Sequence, residues 1–162
     1  LQMDFLTEFF KKAKAEGVHT NLDTSGNPFT DQEPWHSGWL ELMKYTDLVM
    51  LDIKQIDEQE HIKLTGHSNK NILAMARELS DMKKPVWIRH VLVPGGSDKD
   101  EYLHRLADFI HTLSNVERVE VLPYHTLGKF KWENLGLSYP LEGVNPPTQE
   151  RIDNARKILG AI

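Results

Sequence analysis

Residues 86–95, with the sequence VWIRHVLVPG, decide the fold class of this chain. The run Val86–Val93 is rich in branched apolar residues and stops at Pro94 and Gly95, which is typical of a short buried β-strand. Three other runs of the same kind occur along the chain: Val18–Asp23, Leu48–Lys54 and Val119–Tyr124. Because all four runs are short and bounded by breakers or charged residues, we interpret them as strands.

Segments with helical periodicity separate these strands. In Asp100–Ser114, for example, Leu103, Leu106 and Ile110 recur at the spacing of one helix face. The other predicted helices cover the opening of the chain from Leu1, the residues from Trp35 to Lys44, Ile72–Leu79, and the C-terminal residues from the N-cap Thr148 to Ile162. Helices that alternate with strands predict βαβ units and a parallel sheet, so the fold class is α/β.

The predicted sheet is too small for a closed barrel. Four strands are half of the number in the common eight-stranded (β/α) barrel, so an open or partial barrel fits better. The 162 residues are enough for one domain, and we expect a single domain over residues 1–162. A long loop is expected at Leu127–Pro147, and loops of that length are often functional.

Charge and hydropathy exclude several classes of protein. Lys and Arg total 19 against 24 Asp and Glu, a formal net charge of −5, which does not favour binding to nucleic acid. No apolar run approaches the about 18 to 20 residues that span a bilayer, so we expect a cytoplasmic protein without a membrane segment. The chain has no cysteine, which excludes disulfides, thiol catalysis and an iron–sulfur cluster held by its own thiolates.

Polar side chains lie at the predicted carboxyl ends of the strands, where ligands of parallel α/β proteins bind. Asp52 and Lys54 are two positions apart on one strand, so they point to the same face together with Met50. Asp23 ends the neighbouring strand at the same height. Two carboxylates at one edge repel each other unless a cation or a base lies between them. The pattern therefore predicts a site for a hard cation, or for a ligand that carries both an ammonium and a carboxylate group.

Each of these residues also has a purely structural interpretation. Asp23 can be a turn residue in Asp-Thr-Ser-Gly, and Asp52 with Lys54 can be a solvated pair at a strand end. Arg89 can be an ion-pair partner within the fold, and His125 can be a packed loop histidine.

Four strand-end strings together resemble the pyruvate formate-lyase activating enzymes, which are radical S-adenosylmethionine enzymes. The strings are Leu22–Gly26 (LDTSG), Asp47–Gln55 (DLVMLDIKQ), Val86–Gly95 (VWIRHVLVPG) and Leu122–His125 (LPYH). The tail adds LGK at 127–129, KW at 131–132, LG at 135–136, Tyr139 and GVNPP at 143–147. The resemblance implies a partial (β/α) barrel of six strands, of which about four are present. The chain would be the C-terminal part of this barrel, since neither the family's Cys-x-x-x-Cys-x-x-Cys motif nor its Gly-Gly-Glu motif occurs in it.

The resemblance also implies roles for individual residues. The cofactor would be bound by Asp23, Lys54, Val91, Leu122 and His125. A monovalent cation would be held by Asp23, Thr24, Met50 and Asp52. Arg89 would position the substrate peptide. The implied cofactors are S-adenosylmethionine and a [4Fe–4S] cluster whose ligands lie outside this chain. The implied reaction generates a glycyl radical on pyruvate formate-lyase, with an electron donor such as flavodoxin, and this chain alone would be inactive.

Three other functions stay open on the sequence alone. The chain can be a non-catalytic barrel remnant that binds a ligand or a protein. It can be part of an activator of another glycyl-radical enzyme. It can also be a cation-dependent enzyme that uses Asp23, Asp52 and Lys54 directly.

Overall fold

The computed structural model describes residues 2–161, so Leu1 and Ile162, which the pattern assigned to the first and last helices, lie outside the described residues. The strands are β1 (Asn21–Thr24), β2 (Leu48–Asp52), β3 (Val86–Leu92) and β4 (Val116–Pro123). The helices are α1 (Met3–Ala15), α2 (Trp35–Lys44), α3 (Glu58–Thr65), α4 (Lys70–Asp81), α5 (Asp100–His111), α6 (Lys129–Asn134) and α7 (Gln149–Leu159). None of these helices is long and apolar enough to cross a membrane.

The four strands form one parallel sheet in the order β1-β2-β3-β4. The register sets Asp23 beside Met50, Asp52 beside Arg89, and Val91 beside Leu122. Since the strands are parallel, their carboxyl ends meet at one edge, which collects the polar residues that end each strand. The predicted α/β class and parallel topology are confirmed.

The two faces of the sheet differ sharply in burial. On β3 the residues alternate, with Ile88 and Leu92 fully buried while Trp87 and Arg89 are half-buried. The buried face packs under the helices, where Trp39 and Leu79 are also fully inaccessible to water. The other face, which we call the open face, keeps the half-buried side chains. The alternation therefore places the candidate site residues away from the apolar core.

The predicted bounds are wrong at all four strands. Val18 is not in β1, because its amide bonds to Ala13 O and closes the end of α1 after Gly17, whose φ is +73°. At β2 and β3 the ladder ends before Lys54 and Val93, respectively. β4 instead begins early, at Val116, because Val116 pairs with Val86.

Two helices lie where no helix was predicted. α3 has a clear start and stop signal, since the Asp57 side chain accepts hydrogen bonds from the amides of Gln59 and Glu60 and Gly66 follows with φ +80°. α6 lies inside the segment Leu127–Pro147 that was predicted to be a loop, and it buries none of its residues. At α7 the predicted N-cap is confirmed: Thr148 Oγ1 accepts from the amide of Arg151 at 3.3 Å.

Candidate cofactor and cation site

Arg89 lies between the carboxylates of the open face. Its Nη1 donates to Asp23 Oδ2 at 2.7 Å, and its Nε lies 3.9 Å from Asp52 Oδ1 and 4.0 Å from Glu120 Oε2. The positive charge that separates Asp23 from Asp52 is thus the guanidinium of a residue of this chain. Glu120 was not predicted, although it lies two positions before Leu122 on the same face of β4.

Lys54 and Asp52 lie side by side, as the strand alternation predicted. Lys54 Nζ donates to Asp52 Oδ2 at 2.7 Å, and the two side chains are 34% and 18% exposed. The other oxygen, Asp52 Oδ1, is buried and has no hydrogen-bond partner. A buried carboxylate oxygen without a donor is unfavourable, so this oxygen is suited to accept a hydrogen bond or to ligate a cation.

A cavity of about 250 Å³ opens beside this pair. Its walls come from the loop after β1, the end of β2, α3 with the residues directly after it, and the start of α4. The lining residues are Ser25, Asn27, Asp52, Lys54, His61, Thr65, His67 and Ile72. His61 is 2% exposed, and its Nδ1 donates to the carbonyl of His67 at 2.6 Å. His61 was missed because it lies on a helix after the strand, where strand-end patterns do not reach.

Thr24 and Met50 contribute differently to this edge. The Thr24 side chain is buried on the helix-covered side, and its Oγ1 accepts from the amide of Gly26 at 3.1 Å. The Thr24 hydroxyl therefore lies on the other side of the sheet from Asp23 and Asp52. Met50 lies on the open face, in register with Asp23. Within residues 2–161 no three His, Cys, Asp or Glu side chains gather into a group that could hold a metal ion, so the cation site stays a prediction that depends on main-chain oxygens.

Comparison with known proteins shows what this chain is similar to. No family model matches the chain. A pyruvate formate-lyase-activating enzyme of Streptococcus mutans is 56% identical over 159 residues, which are 98% of this chain and 60% of the relative. The predicted resemblance to the pyruvate formate-lyase-activating enzymes is thereby confirmed over almost the whole chain. It spans about three fifths of the length of that relative.

Two solved structures share the fold of this chain. The crystal structure of a domain of a pyruvate-formate lyase-activating enzyme from Bacteroides vulgatus has a TM-score of 0.78 and 22% identity, over 99% of this chain and 86% of that one. A radical SAM methyltransferase from Sphaerobacter thermophilus has a TM-score of 0.61 and 17% identity, over 90% of this chain and 39% of that one. The expected fold, a parallel sheet flanked by helices as in a partial α/β barrel, is confirmed.

Three further residues that the family resemblance assigns to the cofactor lie on or after β3 and β4. Val91 and Leu122 are half-buried neighbours on the open face. They provide an apolar surface of the kind that receives an aromatic ring. His125 lies just beyond β4 and is exposed. The structure thus brings Asp23, Asp52, Lys54 and Arg89 together at one edge, and leaves His125 outside this ion-paired group.

Proposed function

We propose that the complete protein is an activating enzyme that uses S-adenosylmethionine and a [4Fe–4S] cluster to generate a glycyl radical on pyruvate formate-lyase. The observation that carries this proposal is the 56% identity, over 98% of the chain, to an enzyme of that name. The ion-paired edge of the sheet supports it, because that edge offers an ammonium, carboxylates and an apolar surface within one site.

The residues of the edge fit a zwitterionic cofactor. Asp52 Oδ1, which accepts no hydrogen bond within the chain, would accept one from the ammonium group of the cofactor or would ligate a bound cation. Lys54 would attract the carboxylate of the cofactor or donate a hydrogen bond to a ribose hydroxyl. Val91 and Leu122 would bury the adenine, and His125 would line the adenosyl part of the cofactor. When bound, S-adenosylmethionine supplies the radical that removes a hydrogen atom from the target glycine. The chain's own residues orient it and exclude water.

A monovalent cation belongs to the same proposal. Asp23, Asp52, the carbonyl of Met50 and the carbonyl of Thr24 would surround it. Arg89 now holds Asp23, so a cation on Asp23 would release the guanidinium. Arg89 would then be available to bind carbonyl oxygens of the substrate peptide.

The cluster does not fit this chain. Its 162 residues contain no cysteine, and thiolates are the usual ligands of a [4Fe–4S] cluster. We therefore propose that the cluster ligands lie in sequence outside this chain. A cytoplasmic location and a flavodoxin-type electron donor complete the proposal.

Electron paramagnetic resonance tests the activity directly. The complete gene product, with its cluster reconstituted anaerobically, is mixed with S-adenosylmethionine, a reductant and pyruvate formate-lyase. We expect a glycyl-radical signal on pyruvate formate-lyase, and none when the 162-residue chain replaces the complete protein. A reconstituted protein that gives no signal on pyruvate formate-lyase refutes the proposed substrate. A signal on another glycyl-radical enzyme instead would identify that enzyme as the partner.

Binding of S-adenosylmethionine tests the role of Lys54. Isothermal titration calorimetry on the complete protein should show at least about tenfold weaker binding for Lys54→Ala, because a charge-assisted hydrogen bond is lost. Lys44→Ala is the matched control, since Lys44 also pairs with a carboxylate, Glu41, but on the outer surface of α2. Equal affinity in the Lys54→Ala and Lys44→Ala variants contradicts the role given to Lys54.

A further inference from the structure

Lys54 lies outside the sheet ladder, because β2 ends at Asp52. The peptide that carries Lys54 therefore cannot depend on strand pairing alone for its position. Ile53 still donates its amide to the carbonyl of Arg89 at 2.9 Å. Beyond that bond, other groups must hold the backbone on both sides of Lys54 if its ammonium is to stay in one place.

Two of four buried polar side chains bond this backbone from behind, and the other two join it to a neighbouring loop. We call Gln55, Asn69, His90 and Ser97 the buried polar network; each is 2% exposed or less. His90 Nδ1 donates to the carbonyl of Ile53 at 2.8 Å, directly before Lys54. Asn69 Nδ2 donates to the carbonyl of Gln55 at 3.1 Å, directly after Lys54. Lys54 is thus flanked on each side by a carbonyl that a buried side chain binds.

The same network holds the loop that follows β3. Gln55 Nε2 donates to the carbonyl of Gly96 at 2.8 Å, and His90 Nε2 lies 3.3 Å from the carbonyl oxygen of Ser97. Ser97 Oγ donates to the carbonyl of Val91 at 2.6 Å and accepts from the amide of Val93 at 2.9 Å. The network therefore joins the segments of Lys54 and Val91, two residues that lie on the open face.

We infer that the buried polar network positions Lys54 for its ligand, so that Gln55, Asn69, His90 and Ser97 are positioning residues that touch no ligand themselves. This inference rests on the proposed binding of S-adenosylmethionine by Lys54. Hydrogen-bonded buried networks rigidify the segments they join, and a functional group on a loop needs such support to keep its geometry. The open face carries the binding groups, and the covered face carries their support.

Asn69→Ala tests the inference, and Asn115→Ala is its matched control. Asn115 is also buried, and its Nδ2 donates to the carbonyl of Lys84 at 2.6 Å, but it lies at the opposite end of the sheet. Calorimetry with S-adenosylmethionine on the complete protein should show about tenfold weaker binding for Asn69→Ala, since small displacements of a binding group have effects of this order. Asn115→Ala should bind as the wild type does. Equal affinities in the two variants overturn the inference.

A double-mutant cycle separates positioning from general destabilisation. If Asn69 acts through Lys54, Asn69→Ala should cause no further loss of affinity in a Lys54→Ala background. A further loss of the same size as in the wild type would mean that Asn69 acts by another route. If Asn69→Ala fails to fold, Ser97→Ala removes a smaller part of the same network and is used in the same cycle.

Hydrogen exchange keeps the inference distinct from the proposed function. In the 162-residue chain, Asn69→Ala should raise amide exchange in residues 53–57 above that of Asn115→Ala, without any ligand. Unchanged exchange in this segment refutes the network's role. A different pair of results would be raised exchange in the Asn69→Ala variant and a wild-type protein that binds no S-adenosylmethionine. That pair leaves the network's role intact and refutes the proposed function, together with the assignment of the ligand.

Discussion

Asp47 connects the beginnings of the first two strands, and its removal gives the sharpest test of how the site edge is built. Its Oδ2 accepts from the amide and the hydroxyl of Thr20 at 2.9 and 3.1 Å, and its Oδ1 accepts from Lys14 Nζ at 2.6 Å. Thr20 is 3% exposed and lies directly before β1, while Asp47 lies directly before β2. These bonds support the register that sets Asp23 beside Met50.

The expected loss of stability follows from this geometry. The hydrogen bond from Lys14, helped by the Thr20 amide, lowers the pKa of Asp47 from 3.8 to about 2. That difference corresponds to about 2.4 kcal/mol. Because the Asp47 and Lys14 side chains are 28% and 40% exposed, solvent reduces this to about 1 kcal/mol. Asp47→Ala also leaves the buried Thr20 amide without an acceptor, which adds about 1 to 3 kcal/mol.

Unfolding of the 162-residue chain in urea, followed by circular dichroism, measures these effects. At pH 7 we expect Asp47→Ala to lose about 2 to 4 kcal/mol. Asp47→Asn should lose about 1 kcal/mol, since its carbonyl still accepts from the Thr20 amide. A carboxyl with a lowered pKa stabilises the fold above its unfolded pKa. The difference in the free energy of unfolding between the wild type and Asp47→Asn should therefore shrink as the pH falls from about 4 to about 2.

Two results would refute this reasoning. One is an Asp47→Ala variant whose free energy of unfolding at pH 7 stays within about 0.5 kcal/mol of the wild type, which is the range of ordinary surface substitutions. The other is a difference between wild type and Asp47→Asn that does not change across the acidic range. Asp81→Ala, at an exposed aspartate that ends α4, is the control and should leave the free energy of unfolding nearly unchanged.

Two further predictions concern other parts of the fold. Gly26→Ala should lose about 1 to 3 kcal/mol in urea unfolding, because φ is +69° and the new Cβ would lie 2.9 Å from Leu51 Cδ1. Gly66→Ala, with φ +80° and open space around it, should lose less; an equal loss means that packing against Leu51 does not matter. The hydroxyls of Tyr124 and Tyr139 share a hydrogen bond 2.8 Å long, which raises the pKa of Tyr124 to about 12. An ultraviolet titration should therefore show one tyrosine that ionises near pH 12. Tyr139→Phe should return that pKa toward its ordinary value, and a wild-type titration with no tyrosine above the ordinary range would contradict the pairing.

Most of the sheet could be predicted from local sequence. The apolar runs of β2 and β3 are short and rich in branched residues, so they identify strands wherever they occur in a chain. Strand ends are harder to predict, because the partner strand decides where a ladder stops. Val18 has the composition of a strand residue, but Gly17 turns the chain there and the Val18 amide returns to α1.

Part of the candidate site also follows from local pattern. Asp52 and Lys54 share a face because side chains on a strand alternate, and this holds whatever the rest of the fold does. The pairing of Arg89 with Asp23 has no such local signal. These two residues are 66 positions apart, and Arg89 also lies near Asp52 and Glu120, so its partner depends on strand order and register.

The sequence by itself determined the fold class, the family resemblance and the polar character of the strand ends, because each depends on residue types at short spacing. Only the tertiary structure decided which groups meet. It placed a guanidinium of the chain where a cation was expected, left Asp52 Oδ1 without a hydrogen-bond partner, and joined Gln55, Asn69, His90 and Ser97 behind Lys54. The physical reason is that hydrogen bonds and ion pairs act over about 3 to 4 Å. Which distant residues come that close is set by the packing of the whole sheet against its helices.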